Sequence, residues 1–483
     1  MNPETSCDRL QRLLQLQKQA FLHDSYPSAE TRIERMSQVP PMLYRYRHRI
    51  LDALDADFGG HSRTQGELTE IIGMFDRARF NCEHVRHWME PCQRSLDAAS
   101  HGASRAYVEH APKGVVGNLV AWNFPFDIGL GPTLDALGAG NRVIIKPSEL
   151  TPACGQLLQE MIAETFAEDL VAVVNGDLEL ARHFPALPWD HLVYTGGARA
   201  AREVMKAAAE HLVPLTLELG GKCPAIVGAD KVANAECIAT IAGAKAIKRG
   251  QMCVSVDHCL VPEAGLEAFV EALTVHMQRT FATDQGRDHA CGIIDARHQA
   301  RLEHLLEDAR QRGARIVRIG DAVASGSRHM PFHLVIEPND DCAIMGEEIF
   351  GPLLPIKTYR SHADLLERLR GMEPPLGLYL FSDDDGFTRS IIRNTRSGGV
   401  ALNAAVMQAA LPSMGFGGVG PSGMGRHHGE EGFREFSNPR GFYQRLPGGT
   451  LELLTPPYGA GTRSLIEEHV YAPLARALGD APE

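Results

Sequence analysis

Cys253 sits in a glycine-bearing turn, Arg249-Gly250-Gln251-Met252-Cys253, and Glu218 lies upstream in Leu217-Glu218-Leu219-Gly220-Gly221-Lys222. A thiol and a separate carboxylate are the two groups needed to form a thioester and then hydrolyse it. The thiolate attacks a carbonyl carbon, and the carboxylate later takes a proton from the attacking water. A free thiol is mostly protonated near neutral pH, so such a site must favour the thiolate through a base or local positive charge. The apolar neighbours Leu217 and Leu219 would raise the Glu218 pKa by desolvation. Asn123, in Trp122-Asn123-Phe124-Pro125-Phe126, offers an uncharged amide that stabilises a developing oxyanion without titrating. Taken alone, an Asn in that setting is more often a turn residue.

The rest of the composition narrows the class. The chain has 483 residues, enough for roughly two or three domains, with 44% hydrophobic and 22% charged residues as in ordinary globular proteins. A net charge of −12 argues against nucleic acid as the main partner, because phosphate binding needs a basic surface. Ten cysteines are scattered without a C-x-x-C pair, so the other nine read as small buried apolar residues and no zinc ribbon is expected. His427-His428 and Glu430-Glu431 lack a third ligand at useful spacing, so no metal site is expected. Met1 to Thr5 leads into a charged amphipathic stretch, not a secretory leader, and no apolar run reaches about 18 residues. No membrane span and a cytoplasmic location are the expectations.

The elements that must position these residues follow from periodicity. Apolar spacing from Cys7 to Phe58 predicts two helices interrupted at Pro27 and Pro40-Pro41, and a third helix from Glu67 to Met89. Beyond Tyr107, apolar runs alternate with helical stretches: Gly114 to Ala121, Arg142 to Pro147, Leu170 to Val174 and His191 to Tyr194 read as strands. After Glu218 come Pro224 to Val227, a helix from Ala233 to Lys248, and strands at Cys259 to Val261, His333 to Ile336 and Leu378 to Phe381. Alternation of this kind predicts an α/β fold with two parallel-sheet domains and the nucleophile near their junction.

In order along the chain, Trp122 to Phe126, Lys146-Pro147-Ser148-Glu149, Tyr194-Thr195-Gly196-Gly197, Leu217 to Lys222, Gly250 to Cys253, Glu347 to Pro352 and Phe416 to Gly423 resemble the aldehyde dehydrogenase superfamily. Asp57 to Gly60, Trp88-Met89, Gly351 to Pro355 and Pro456 to Gly459 make the coniferyl aldehyde dehydrogenase and class 3 branch the nearest match. The resemblance implies a Rossmann-like cofactor domain (residues 1–94 and 109–218), a catalytic domain (219–415), a small β oligomerisation element (95–108 and 416–450) and a tail (451–483). Ser95 to Val108 would be a hairpin and Phe433 to Leu446 its C-terminal partner. A homodimer is the expectation of the branch.

The implied activity is NAD(P)-dependent oxidation of an aldehyde to its acid. The substrate would be aromatic, such as coniferyl aldehyde, or a medium- or long-chain aliphatic. Cys253 would be the nucleophile, Glu218 the base and Asn123 the oxyanion donor with the backbone N–H of the nucleophile. The resemblance assigns the cofactor to Trp122, Lys146, Glu149, Thr195, Gly196, Gly197, Leu219, Glu348 and Phe350. Lys146 suits a 2′-phosphate and Glu149 a 2′-hydroxyl, so NAD and NADP both stay open, with NAD favoured. The same run also reads as a strand end and helix cap. Presence of Glu218 favours hydrolysis over an acylating reaction. Two departures stand out: Gly196-Gly197-Ala198-Arg199-Ala200-Ala201 replaces the family's Gly-Ser-Thr-x-x-Gly, and His427-His428-Gly429 replaces Tyr-His-Gly. The first keeps open a non-catalytic, binding or structural protein of the same fold. Met252, Met407, Met414 and Phe124 read either as pocket wall or as core.

Overall fold

The computed structural model describes residues 4–282, 290–320 and 327–479. One compact unit joins Met1–Trp88 to Pro112–Ser437, and a second joins Met89–Ala111 to Asn438–Glu483.

The first unit contains two sheets. Strands β1 (Val115–Leu119), β2 (Arg142–Lys146), β3 (Val171–Val173), β4 (His191–Thr195) and β5 (Leu215–Glu218) run parallel in the order β5-β4-β1-β2-β3. All but Leu215 are buried, as expected for a sheet covered on both faces, which is why these strands read as near-continuous apolar runs. The chain moves outward from β1 to β3 and then returns to the other side of β1 as β4. That reversal creates a crevice at the carboxyl ends of β1 and β4, the usual ligand position in open α/β sheets. Gly423–Met424 adds a short antiparallel edge to β5.

The second sheet uses β6 (Pro224–Val227), β7 (His258–Pro262), β8 (Arg315–Ile319), β9 (Phe332–Ile336), β10 (Leu353–Tyr359), β11 (Gly377–Phe381) and β12 (Gly399–Leu402). Their order is β8-β9-β10-β7-β6-β11-β12, with only the β8–β9 pair antiparallel. The short segment after β5 runs directly into β6. The carboxyl edge of the first sheet therefore leads to the amino edge of the second. Cys253 and Glu348 precede the neighbouring strands β7 and β10 at that same edge.

Two expectations about local structure change. The N-terminal stretch forms three helices, Ser6–His23, Ala29–Ser37 and Val39–Phe58. Pro40 and Pro41 lie in the first turn of the last one, where no intrahelical N–H bond is lost, so they start a helix instead of breaking it. In the second unit, Cys92–Arg94 pairs antiparallel with Arg105–Pro112, and a helical turn at Ala98–His101 lies between them, inside the span predicted to be a hairpin. Ser437–Gln444 completes that three-stranded sheet, and the tail is helical from Ala460 to Leu478.

Gly117 lies in the middle of β1, where an added Cβ would sit 2.8 Å from the Trp189 ring and 2.9 Å from Phe184. Gly117→Val is expected to lower stability by about 1–3 kcal/mol through overpacking, read as a lower urea midpoint at unchanged m-value.

Candidate active site

The helix Ala235–Ala246 ends just before Cys253, and the chain then turns through Lys248 (φ 47°), Arg249 (φ 57°) and Gly250 (φ 75°). Two consecutive non-glycine residues in the left-handed region cost on the order of 1–3 kcal/mol each. Glycine alone fits third, because a Cβ there would lie 2.4 Å from the Gly351 carbonyl oxygen.

A buried ion pair holds this turn. The Lys248 Nζ donates to Glu70 Oε1 at 2.6 Å and to the Asn123 carbonyl at 2.7 Å, and both charged side chains are fully buried. The ammonium also lies 4.7 Å from the Phe58 ring centroid and 4.5 Å from that of Phe124. The other carboxylate oxygen of Glu70 accepts from the backbone N–H groups of Phe126 (3.1 Å) and Asp127 (3.0 Å). One carboxylate thus fixes both the nucleophile turn and the start of the helix Asp127–Gly138, and the loop carrying Asn123 runs between them. Gln251 adds bonds to the Lys248 and Gly292 carbonyls and accepts from the Ile294 N–H.

Cys253 is partly exposed, against a core that includes Met252 and Val254, with Phe124 and Phe416 packed on the same cluster. Burial of the sulfur, then the Glu218 and Glu348 carboxylates, push its pKa well above the ordinary thiol range. At rest it is a thiol. Glu218 ends β5 and is 4% exposed; its Oε1 has no hydrogen-bond partner among the described residues, and its Oε2 lies 3.8 Å from His427 Nε2. Burial raises its pKa well above the usual carboxylate range, opposed only weakly by Arg426. Asn123, 3% exposed, is tied to the nucleophile turn through Lys248.

The residues assigned to a cofactor fall into two groups. Trp122 and Phe350 meet edge to face at 5.2 Å, beside Glu348. Burial pushes the Glu348 pKa up to about 8, and Gly220 leaves the room for its carboxylate, since a Cβ there would lie 2.2 Å from Glu348 Oε1. The second group lies along the carboxyl ends of β4 and β2. Thr195 closes β4, and Gly197 opens the helix Ala198–Ala209 with nothing within 4 Å of where its Cβ would be. Arg199 is exposed on that helix. Lys146 closes β2, almost fully buried, with its Nζ 2.9 Å from Glu149 Oε2. Leu219 donates its N–H to the Ser422 carbonyl at 3.2 Å.

The fold therefore brings Cys253 within reach of the Glu218 and Glu348 charges, sets Trp122 against Phe350, and ties Asn123 in through Lys248. It leaves Lys146 and Glu149 apart from the reacting cluster, with β4 and β1 between β2 and β5. Glu348 Oε1 and Thr195 Oγ1 are buried without partners among the described residues. Such orphaned acceptors and an open helix start suit a polar ligand with hydroxyls and phosphates. A nicotinamide dinucleotide fits these donors and acceptors. Among the described residues, no group of three or more His, Cys, Asp or Glu side chains is arranged for a metal. Sequence reasoning missed Glu70, Lys248 and Arg77, whose only signal would have been charge inside otherwise buried helical faces.

Two α/β sheets meet at a cysteine and two buried carboxylates, beside a glycine-opened helix start, an arrangement found here in one chain with the fold of an oxidoreductase. The aldehyde dehydrogenase family model matches residues 5–441, and the chain belongs to that family, so it is an oxidoreductase acting on aldehydes. It is 39% identical over 464 residues to a probable coniferyl aldehyde dehydrogenase of Caulobacter vibrioides, covering 94% of this chain and 95% of that one. It is 38% identical to the coniferyl aldehyde dehydrogenase of Pseudomonas sp. strain HR199, covering 95% and 96%. Among solved structures, the substrate-bound state of Staphylococcus aureus AldH superposes with a TM-score of 0.87 at 31% identity, covering 94% of this chain and 98% of that one. A Mycobacterium tuberculosis aldehyde dehydrogenase complexed with NAD+ gives a TM-score of 0.82 at 26% identity, covering 92% and 91%.

Glu70→Ala leaves the Lys248 ammonium buried without its partner and is expected to cost about 3–5 kcal/mol, measured by chemical denaturation. Glu70→Gln, which can still accept one bond, should cost less.

Proposed function

We propose that this enzyme oxidises an aromatic aldehyde of the coniferyl aldehyde type to its carboxylic acid through a Cys253 thioester, using NAD(P). The observation that carries this reading is the convergence of Cys253, Glu218 and Glu348, each electrostatically felt by the nucleophile, at the junction of two sheets. The Cys253 sulfur bonds to the aldehyde carbon while its proton passes to Glu218. The carbonyl oxygen becomes an oxyanion held by the Asn123 amide and the Cys253 backbone N–H. Glu348, Trp122 and Phe350 would hold a nicotinamide, which when bound would supply the hydride acceptor for oxidation to the thioester. Glu218, having released its first proton to solvent, takes a proton from water as the water oxygen attacks the acyl carbon. The C–S bond then breaks, and sulfur keeps the electron pair.

In this reading Glu348 holds the nicotinamide ribose, and Trp122, Leu219 and Phe350 shape that pocket. Thr195, Gly196 and Gly197 approach the pyrophosphate, and Lys146 and Glu149 the adenosine ribose. Glu149 already engages the Lys146 ammonium, and a carboxylate at that position disfavours a 2′-phosphate. NAD is therefore the preferred form. Both coniferyl aldehyde dehydrogenase relatives and the aromatic and sulfur-bearing side chains of Phe124, Phe416 and Met252 near the thiol support an aromatic substrate. Met407 and Met414 are 53% and 46% exposed, so a wall role for them requires that ligand or partner cover them. The assembly in this reading is a homodimer, consistent with the exposed Tyr443, Leu454, Tyr458 and Tyr471 of the second unit.

Absorbance at 340 nm with coniferyl aldehyde, an aliphatic aldehyde series and each of NAD and NADP tests the reading. Cys253→Ala should abolish NAD(P)H formation. Glu218→Gln should release a single burst of NAD(P)H and then stall with a trapped acyl group detectable by intact mass; steady turnover in that variant would remove Glu218 from the mechanism. Because burial raises the Glu218 pKa, the base is unavailable at low pH, so the hydrolysis-limited kcat should climb as pH rises through that raised pKa, well above the usual carboxylate range.

A further inference from the structure

His427, in the segment before the helix Gly429–Glu435, faces the proposed base Glu218. Its Nε2 lies 3.8 Å from Glu218 Oε2, an approach of about 1 Å from a hydrogen bond. Its other ring nitrogen, Nδ1, lies 3.0 Å from Arg77 Nη2. A guanidinium has only donors, so Nδ1 must accept and the ring proton must sit on Nε2, facing Glu218. Arg77 cannot easily turn away: it pairs with Asp135, which also accepts from Asn81 Nδ2 at 2.9 Å and from the His428 N–H at 2.8 Å. Burial and then the Arg77 charge hold the His427 pKa well below its ordinary value, so the ring is neutral.

The groups around the imidazole are few. Glu218 faces it from β5, Arg77 from the helix Gly73–Trp88 with Asp135 of Asp127–Gly138 behind it, and the His428 ring stands 4.5 Å away, itself held neutral by burial and Arg77. The remaining near neighbour, Phe416, is apolar and packs edge to face at 5.5 Å. With Nδ1 occupied by a cation, His427 has no free site to accept a proton. It is a donor only.

We propose that His427 is a positioning residue for Glu218 in the hydrolytic half-reaction: its Nε2–H, fixed by Arg77, orients the carboxylate through Oε2 and leaves Oε1 for the water. This rests on the reading of Glu218 as the base. In the step, the water oxygen bonds to the acyl carbon, the C–S bond breaks with its electron pair going to sulfur, and the water proton goes to Glu218 Oε1. A donor on Oε2 favours the ionised carboxylate and so offsets part of the burial that opposes it. Oε1 is buried without a hydrogen-bond partner among the described residues, and Oε2 is the oxygen that His427 approaches.

The test compares two polar replacements of similar size. His427→Gln can place an amide N–H near the Nε2 position, whereas His427→Asn places it near Nδ1. Steady-state kcat against pH, the NAD(P)H burst and the thermal midpoint are measured for both, with Glu218→Gln alongside. The expected result is a kcat loss of roughly tenfold to a hundredfold in the Asn variant, an acid limb moved to higher pH and an intact burst, with the Gln variant recovering most of the rate. Equal rates and equal acid limbs in the two variants would overturn the proposal, because a packing role does not distinguish the two amide positions. If Glu218→Gln itself turns over normally, the base assignment fails and the proposal falls with it. If that variant stalls while both His427 variants behave as the parent, the His427 inference alone is wrong.

Discussion

The interaction on which the site depends is the buried pair between Glu70 and Lys248. Taking two charges out of water costs on the order of several kcal/mol per ion, so the pair persists only because every donor and acceptor finds a partner. Lys248 spends its donors on Glu70 and the Asn123 carbonyl and stacks its charge between the Phe58 and Phe124 rings. Glu70 answers with two backbone N–H groups at the start of a helix, where a negative charge is also favoured by the helix dipole. The reward is geometric. A turn with two left-handed non-glycine residues is held in place, and the residues proposed as nucleophile and oxyanion donor are fixed on one anchor.

Around that anchor the electrostatics run in one direction. Burial raises Glu218, Glu348 and Cys253, and the two carboxylates raise the Cys253 thiol further. Burial thus opposes the charged form of each group, and with it the repulsion between a thiolate and two carboxylates. For Glu348 the linkage is explicit. Its folded-state pKa of about 8 lies above the unfolded value, so its contribution to stability is complete below about pH 4.5 and disappears as pH rises through about 8.

The two sheets divide the labour. Parallel strands present all their carboxyl ends on one edge, so Lys146, Thr195 and Glu218 line that edge of the first sheet simply by ending β2, β4 and β5. The second sheet contributes from its amino edge, through the turns before β6, β7 and β10. The proposed catalytic groups, from distant stretches of sequence, meet because the link from Glu218 to Cys223 is too short to lead elsewhere.

Much of this was legible in the sequence. The apolar runs of β1, β2, β4 and β9 announce buried strands, because a strand covered on both faces needs Val, Ile and Leu at successive positions. The residues around Cys253, Glu218 and Asn123 carry their chemistry in their side-chain types. Other features were not legible. β10 is interrupted by Pro355 and Lys357, and β8 alternates Arg with Ile, so neither reads as a central run; pairing with neighbours makes them strands. Glu70 is one carboxylate among many on helices, and Lys248 and Arg77 resemble solvated surface charges. What the sequence determined by itself was the identity of the reacting groups and the alternation of elements, since these are local properties. Which charges lose water, which nitrogen of His427 keeps its proton and which oxygen of Glu218 stays free were decided only when distant segments packed, because desolvation and hydrogen-bond partners belong to the three-dimensional neighbourhood and not to the chain.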